Sequence, residues 1–209
     1  MSKIEQIVFV VDDDPSFRRS VERLVHLAGY LVHGFGSADE FLMQRPPEEA
    51  ACLVTDLRMP GITGLDLQQE LASAGWHIPV IFITGHGDVS TSVRAMKAGA
   101  IEFLTKPFHD QELLAAIGEA LTRDQTRRGE AKRLANFRQR YDTLTPRERE
   151  VMSHVIRGKL NKQIAADLNI GEKTIKFHRA KIMAKMQVPS LADLVRIATD
   201  LKLFPKPSI

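Results

Sequence analysis

With 209 residues, 44% of them hydrophobic, the chain is long for one domain and comfortable for two, and its single cysteine excludes an internal disulfide framework and a multi-cysteine metal cluster. The net charge of +3 conceals an asymmetry: residues 1–121 carry 9 Lys and Arg against 17 Asp and Glu, and residues 122–209 carry 20 against 9. An acidic domain followed by a basic one is expected, the basic one a candidate for nucleic acid, with two ordinary solvated surfaces as the alternative.

The first residues, Met1-Ser2-Lys3-Ile4-Glu5, have no apolar signal-peptide core, and no apolar run approaches the roughly 20 residues that span a bilayer. A cytoplasmic location without membrane association is therefore expected. Through residue 121 the chain alternates between two patterns. Continuous apolar runs fall at Ile7–Val11, Leu53–Thr55 and Val80–Thr84, with weaker ones at Tyr30–Phe35 and Ile101–Leu104. Such runs suit parallel strands covered on both faces. Cys52 sits in the apolar stretch Ala51-Cys52-Leu53-Val54, so a buried structural thiol is expected rather than a reactive one. Helical spacing intervenes: Val21, Leu24, Val25 and Ala28 share a face, as do Leu65, Leu67 and Leu71, and then Val93, Met96 and Lys97. Gly29, Pro46-Pro47, Gly75, Gly85, Gly87 and Gly99 mark the breaks. Five β–α units predict a doubly wound α/β domain with a five-stranded parallel sheet, which binds ligands beyond the carboxyl ends of its strands.

Residues 122–142 turn polar, then place Leu134, Phe137 and Tyr141 at helical spacing. A helical linker extending the last helix of the first domain is expected. A floppy linker is the alternative, because Gly129 weakens a helix. From residue 143 the pattern is all helical. Thr145-Pro146-Arg147-Glu148 offers an N-cap, a first-turn proline and a capping-box glutamate. Four helices are predicted, at about 146–157, 161–168, 172–186 and 190–202, with a tight turn at Asn169-Ile170-Gly171.

Two constellations carry chemistry. Asp12-Asp13-Asp14 follows the first strand and Asp56 follows the third. On neighbouring strands their carboxylates would meet at one edge of the sheet, and like charges that close need a counter-charge. Mg²⁺ held by carboxylates and phosphate oxygens fits. A carboxylate beside it can act as a nucleophile and form an aspartyl-phosphate. Thr84 and Lys106 end the fourth and fifth strands, where a hydroxyl and an ammonium can hold phosphate oxygens. Singly each residue has an ordinary reading: a helix cap, a β-former, a solvated lysine. Their joint placement at the ends of different strands favours the site. The second constellation, Asn161 to Lys176, has helix-turn-helix spacing, with Ile164, Ala165 and Leu168 facing Ile175 and Ile182. The second helix of such a motif enters the major groove, and its outward residues here are Lys173, Thr174, Lys176, Phe177, Ala180 and Lys181. A small basic bundle that binds protein is the alternative.

Val10-Val11-Asp12-Asp13-Asp14-Pro15, Thr55-Asp56-Leu57-Arg58-Met59-Pro60-Gly61, Ile83-Thr84-Gly85-His86-Gly87-Asp88 and Phe103-Leu104-Thr105-Lys106-Pro107-Phe108 resemble, in order and spacing, the flavodoxin-like receiver of response regulators, over roughly residues 5–122. The Thr-Gly-His-Gly-Asp and Ala95–Ala100 stretches are similar to the FixJ/StyR branch of the NarL/FixJ family. The resemblance implies Asp56 as phospho-acceptor. It implies Mg²⁺ on Asp13, Asp56 and the backbone carbonyl of Arg58, with Asp12 helping through water. It implies Thr84 and Lys106 as phosphate contacts, a cis Lys106–Pro107 bond, and Phe103 as an aromatic switch that follows Thr84 inward. Plain core packing is the other reading of Phe103. His86 is read as a loop residue, with pH sensing as the rarer role.

Leu144–Val151, Asn161–Ala165 and Thr174–Met186 resemble the LuxR-type DNA-binding domain, over about 142–205. Its groove contacts would fall on Lys176, Phe177 and Ala180, with Lys173 and Thr174 near phosphates. Gly171 stands where Ser or Thr often caps the recognition helix. Ala180 cannot hydrogen-bond a base, which throws specificity onto Lys176 or Arg179, and Phe177 offers an apolar surface to a thymine methyl. The expected division is a receiver at 1–121, a linker at 122–142 and a DNA-binding domain at 143–209. The expected function is a two-component response regulator. A sensor histidine kinase phosphorylates Asp56, receivers dimerise, promoter DNA is bound, and transcription by RNA polymerase is activated. Enzymatic activity would extend no further than the chain's own aspartyl-phosphate. A phosphatase and a DNA-binding protein with a degenerate receiver are the rivals. No second catalytic acid or base is apparent beside Asp56, and the full set of pocket residues argues against degeneracy.

Overall fold

The structure, a computed structural model, describes residues 6–85 and 89–204, with the side chains of 89–92 outside the description. His86 therefore lies outside the described residues. The chain divides into two compact units, Met1–Arg128 and Gly129–Ile209.

The first unit contains strands β1 (Gln6–Val11), β2 (Leu31–Phe35), β3 (Ala50–Asp56), β4 (Val80–Thr84) and β5 (Glu102–Thr105). All pair in parallel, in the order β2-β1-β3-β4-β5. Helices α1 (Pro15–Leu27), α2 (Ala38–Leu42), α3 (Gly64–Ser73) and α4 (Val89–Lys97) connect them, and α5 (Asp110–Asp142) follows β5. The sheet order reverses at β1 and β3, which opens a crevice beyond their carboxyl ends.

Side chains alternate between the two faces of each strand. Phe9, Val11, Leu53 and Phe82 build one core with Leu67 and Leu71 of α3. Val8, Val10, Val54, Ile81 and Ile83 build the other with Val21 and Val25 of α1 and Leu113 and Ile117 of α5. Both faces are dry, which is why these strands read as continuous apolar runs. Cys52 is fully buried among them, and burial pushes its thiol well above the ordinary range. The third strand begins three residues before its expected start. Ala50, Ala51 and Cys52 are buried but small, so they add little to an apolar run. The fourth helix departs from expectation on its buried face: Ala95 is buried, while Val93 and Met96 are 44% and 46% exposed. A methyl group at the contact lets the helix approach the sheet closely and turns the larger side chains outward.

Helix α5 runs from Asp110 to Asp142 without interruption at Gly129. Asp124, on it, is wholly buried and accepts a hydrogen bond from the Ala51 N–H.

The second unit contains α6 (Pro146–Val155), α7 (Asn161–Leu168), α8 (Glu172–Met186) and α9 (Leu191–Asp200). Thr145 and Glu148 cap α6 reciprocally. Asn169 ends α7 in the left-handed region, which a short polar side chain tolerates and which turns the chain sharply into α8. Ile164, Ala165, Ile175, Ile182 and Met186 share one core with Val151, Leu194 and Ile197.

Candidate functional site

The acid pocket is assembled by strand ends. Asp12 directly follows β1 and is 2% exposed, while Asp56 ends β3. The β1–β3 register pairs Val11 with Thr55, which brings the two aspartates side by side. Lys106 follows β5, and its N–H donates to the Thr84 carbonyl. Its ammonium donates to Asp12 Oδ2 at 3.0 Å and to Asp56 Oδ2 at 2.9 Å, and lies 3.6 Å from the centre of the Phe17 ring. The Lys106–Pro107 bond is cis.

The remaining oxygens are held locally. Asp12 Oδ1 accepts from the Asp14 N–H and Asp56 Oδ1 from the Arg58 N–H. Arg58 itself is exposed. Asp14 caps α1, accepting from Ser16 and Phe17, and those bonds hold its carboxyl below the ordinary range. Asp13 is exposed, and oxygens of Asp12, Asp13 and Asp56 lie within 4.8 Å of one another.

Three carboxylates face one ammonium here. Burial pushes the Asp12 carboxyl above its ordinary range, against bonds from Lys106 and Asp14. Burial pulls Lys106 down, but its bonds to Asp56 and Asp12 more than reverse this and hold the ammonium above the usual lysine range. Three carboxylates against one ammonium leave the cluster short of positive charge. Its chemistry is all oxygen, which suits a hard cation. Oxygens on opposite sides of an octahedral Mg²⁺ stand about 4.2 Å apart, so a set within 4.8 Å could close on one with little movement.

Thr84 ends β4, is buried, and lies one residue beyond Ile83, the register partner of Asp56. Phe103 is half-buried on β5 opposite Phe82 and packs against the core that contains Leu53 and Leu67. Sequence reasoning missed two contributors to the pocket. The Arg18 guanidinium donates to the Asp12 carbonyl at 2.5 Å, and Gly64 approaches the Asp56 carbonyl so closely that a Cβ there would collide with it. A glycine immediately after Thr63, the N-cap of α3, was the only available signal for the second.

In the other unit, Lys173, Thr174, Lys176, Phe177, Ala180 and Lys181 are exposed on α8 opposite its buried Ile175 and Ile182. Phe177 is 57% exposed, and the Lys181 ammonium sits 4.5 Å from its ring centre. Arg179 is half-buried and donates to Asn161 Oδ1 at 3.1 Å, so it ties α8 to α7. Gly171 caps α8 with no side-chain bond. Sequence reasoning missed Lys185. Its ammonium lies 2.6 Å from Glu148 Oε2 and fastens α8 to the start of α6.

Comparison with known proteins finds two family models along the chain. The response regulator receiver domain model matches residues 8–118, and that of the bacterial regulatory proteins of the luxR family matches residues 142–198. Nodulation protein W of Bradyrhizobium diazoefficiens is 51% identical over 195 residues, 93% of this chain and 86% of that protein. Response regulator protein TodT of Pseudomonas putida is 44% identical over 202 residues, 97% of this chain and 89% of that protein. The solved structure of response regulator StyR matches with a TM-score of 0.84 and 47% identity, covering 94% of this chain and 99% of that one. Among the described residues no helix is long and apolar enough to cross a membrane. The chain thus belongs to the NarL/FixJ family of two-component response regulators, with a receiver domain and a LuxR-type DNA-binding domain that serve transcription regulation.

Proposed function

We propose that Asp56 is the phospho-acceptor and that its phosphorylation by a sensor histidine kinase controls binding of promoter DNA. The observation that carries this is Lys106, whose ammonium bonds Asp12 and Asp56 together with Asp13 close by. An Asp56 oxygen attacks the phosphorus of a phosphohistidine, the P–N bond breaks, and the imidazole leaves. Asp12, Asp13, Asp56 and the Arg58 carbonyl would hold Mg²⁺, which when bound offsets the charge gathered on the transferring phosphoryl group. Lys106 then exchanges a carboxylate partner for a phosphate oxygen, and the Thr84 hydroxyl takes another. Phe103 moves toward the space that Thr84 leaves, which alters the face formed by α4 and β5. Val93 and Met96, exposed on α4, give that face apolar surface for a second receiver. Enzymatic action is limited to formation and hydrolysis of the chain's own aspartyl-phosphate.

The DNA-binding domain occupies residues 143–209, the receiver 1–121, and 122–142 links them. Helix α8 enters the major groove. Lys173 and Thr174 contact phosphates. Lys176, Phe177 and Ala180 face base edges, Lys181 adds charge, and Arg179 steadies the helix from Asn161. A dimer places two such helices on an inverted repeat and activates transcription by RNA polymerase in the cytoplasm.

The test treats the full chain with Mg²⁺ and acetyl phosphate, wild type beside Asp56→Ala. Intact mass and light scattering are read first, then footprinting on promoter DNA. Wild type gains one phosphoryl group, dimerises and protects DNA at lower concentration, and the variant does none of these. Equal behaviour of the two would overturn the assignment.

A further inference from the structure

We propose that Phe17 is a positioning residue for phosphoryl transfer: the face of its ring holds the Lys106 ammonium against Asp12 and Asp56. The inference rests on the reading of Asp56 as phospho-acceptor and adds a residue of α1 to that pocket.

The ammonium lies in a cradle with three walls. A lysine side chain has three N–H donors. Two meet carboxylates, Asp12 Oδ2 at 3.0 Å and Asp56 Oδ2 at 2.9 Å. The third can face the Phe17 ring, whose centre lies 3.6 Å from the nitrogen. An aromatic face carries partial negative charge and attracts a cation within about 6 Å. With these neighbours the Lys106 side chain is only 23% exposed.

The ring is itself held in place. In the first turn of α1 the Phe17 N–H donates to the Asp14 carboxylate at 3.3 Å. The Phe17 and Phe108 rings meet in a T-shaped arrangement, with centres 6.1 Å apart and planes at 88°. Both rings pack against the core that contains Val21, Leu113 and Ile117. Arg18, the next residue, donates to the Asp12 carbonyl. Consecutive residues of α1 thus fasten the lysine and one of its carboxylates.

A ring suits this place better than an acid would. Lysine carries a compact, strongly hydrated charge on a flexible stem, and water competes for it unless something confines it. A further carboxylate would confine it, but would join three acidic groups whose oxygens already lie within 4.8 Å of one another. The ring attracts the ammonium without adding charge. It also offers no fixed acceptor atom. The nitrogen can therefore turn from a carboxylate oxygen to a phosphoryl oxygen and keep its contact with the ring. A leucine at this position would still pack against the core but would lack the charged face.

The experiment compares wild type, Phe17→Leu and Phe17→Tyr as full chains, each also combined with Lys106→Ala. Phosphorylation by acetyl phosphate in Mg²⁺ is followed by intact mass. Phe17→Leu should slow it roughly fivefold, as expected for loss of a cation–π contact at a partly exposed site. Phe17→Tyr, which keeps the ring, should restore the rate. With Lys106→Ala in place the leucine substitution should change the rate by less than about twofold, because the ring then has no cation to hold. Proton NMR reads the same contact without phosphorylation. The ring current of Phe17 should move the Lys106 ε-methylene protons upfield in wild type and Phe17→Tyr, and not in Phe17→Leu. A wild-type rate in Phe17→Leu, an equal loss with and without Lys106, or ε-methylene positions that ignore the ring would each overturn the proposal. A wild type that gains no phosphoryl group would overturn the Asp56 reading and this role with it, and an intact ring-current shift would then separate that failure from failure of the Phe17 contact.

Discussion

Asp124 Oδ2 accepts a hydrogen bond from the Ala51 N–H at 3.0 Å, so a carboxylate far along α5 holds the first turn of the β3 ladder 73 residues upstream. Arg127 and Arg128 neutralise it, and Arg128 continues to the Pro47 carbonyl at 2.9 Å. Asp124→Ala would leave a buried N–H unpaired and two guanidinium groups without their counter-charge. Loss of one partner from a buried pair costs about 3 kcal/mol, the low end applying because both arginines reach solvent. Trp76, the chain's single tryptophan, lies in the receiver and packs against its core. Its fluorescence during urea unfolding should show the receiver transition moving to lower denaturant, with Asp124→Asn intermediate because an amide still offers the acceptor. An unchanged midpoint in Asp124→Ala would mean that this bond does not hold β3.

Gly64 sets the position of Asp56 from the backbone side. A Cβ there would collide with the Asp56 carbonyl and stand 3.1 Å from Phe82 and 3.2 Å from Leu57, and backbone cannot swing aside as a flexible side chain can. Gly64→Ala should therefore displace Asp56. Displacements of about 1 Å can cost on the order of a hundredfold in rate. Phosphorylation by acetyl phosphate should slow at least about tenfold, whereas Gly118→Ala, in open space within α5, should leave it unchanged. Equal rates in both variants would show that the Asp56 carbonyl has room to move.

These two contacts also mark where the sequence stops being readable. The sheet was legible because both its faces are buried, which forces continuous apolar strands at Ile7–Val11 and Val80–Thr84. The acid pocket was legible because aspartate, threonine and lysine fall at the ends of those strands. Asp124 was not, since it stands in a run of charged residues that resembles a solvated helix face, and only the tertiary fold puts it under Ala51. The exposure of Val93 and Met96 was hidden for a related reason. Periodicity finds an apolar stripe on α4 but cannot say whether that stripe or Ala95 meets the sheet.

Glu148 gives the DNA-binding unit an acid limit. It is 3% exposed and accepts from the Thr145 N–H and from Lys185, so it joins the cap of α6 to the last turn of α8. Burial pushes its carboxyl up, but the bonds from Lys185 and Thr145 together outweigh this and hold it below the ordinary glutamate range. A depressed folded-state value stabilises the fold above the unfolded-state value, about 4.3 for Glu, and that stabilisation fades as pH falls through the folded-state value. Helical circular dichroism of the unit should thus persist to lower pH in wild type than in Lys185→Ala, which leaves the carboxylate buried without its cation. Glu148→Gln should unfold more readily at neutral pH and show a flatter dependence between about pH 5 and 3. The same acid midpoint in all three proteins would count against this linkage.

The exposed residues of α8 should separate into two kinds of contact when DNA binding is measured against salt. Lys173, Lys176 and Lys181 present charge at the surface, and each phosphate that a lysine neutralises adds about −0.9 to the slope of log K against log salt. Phe177 carries no charge, so Phe177→Ala should leave that slope nearly unchanged and still weaken binding to the preferred sequence, by about 1 kcal/mol if its ring meets a thymine methyl. Its ring also lies under the Lys181 ammonium, so a small change in slope would trace to that lysine losing its rest. Fluorescence anisotropy on a fragment selected in vitro with the full chain, beside a scrambled one, reads both quantities. Lys173→Ala should weaken both fragments and lower the slope by about one, whereas Phe177→Ala should weaken only the selected one. Equal loss on both fragments for Phe177→Ala would make its ring a general contact and move sequence reading onto Lys176, since Arg179 is already committed to Asn161.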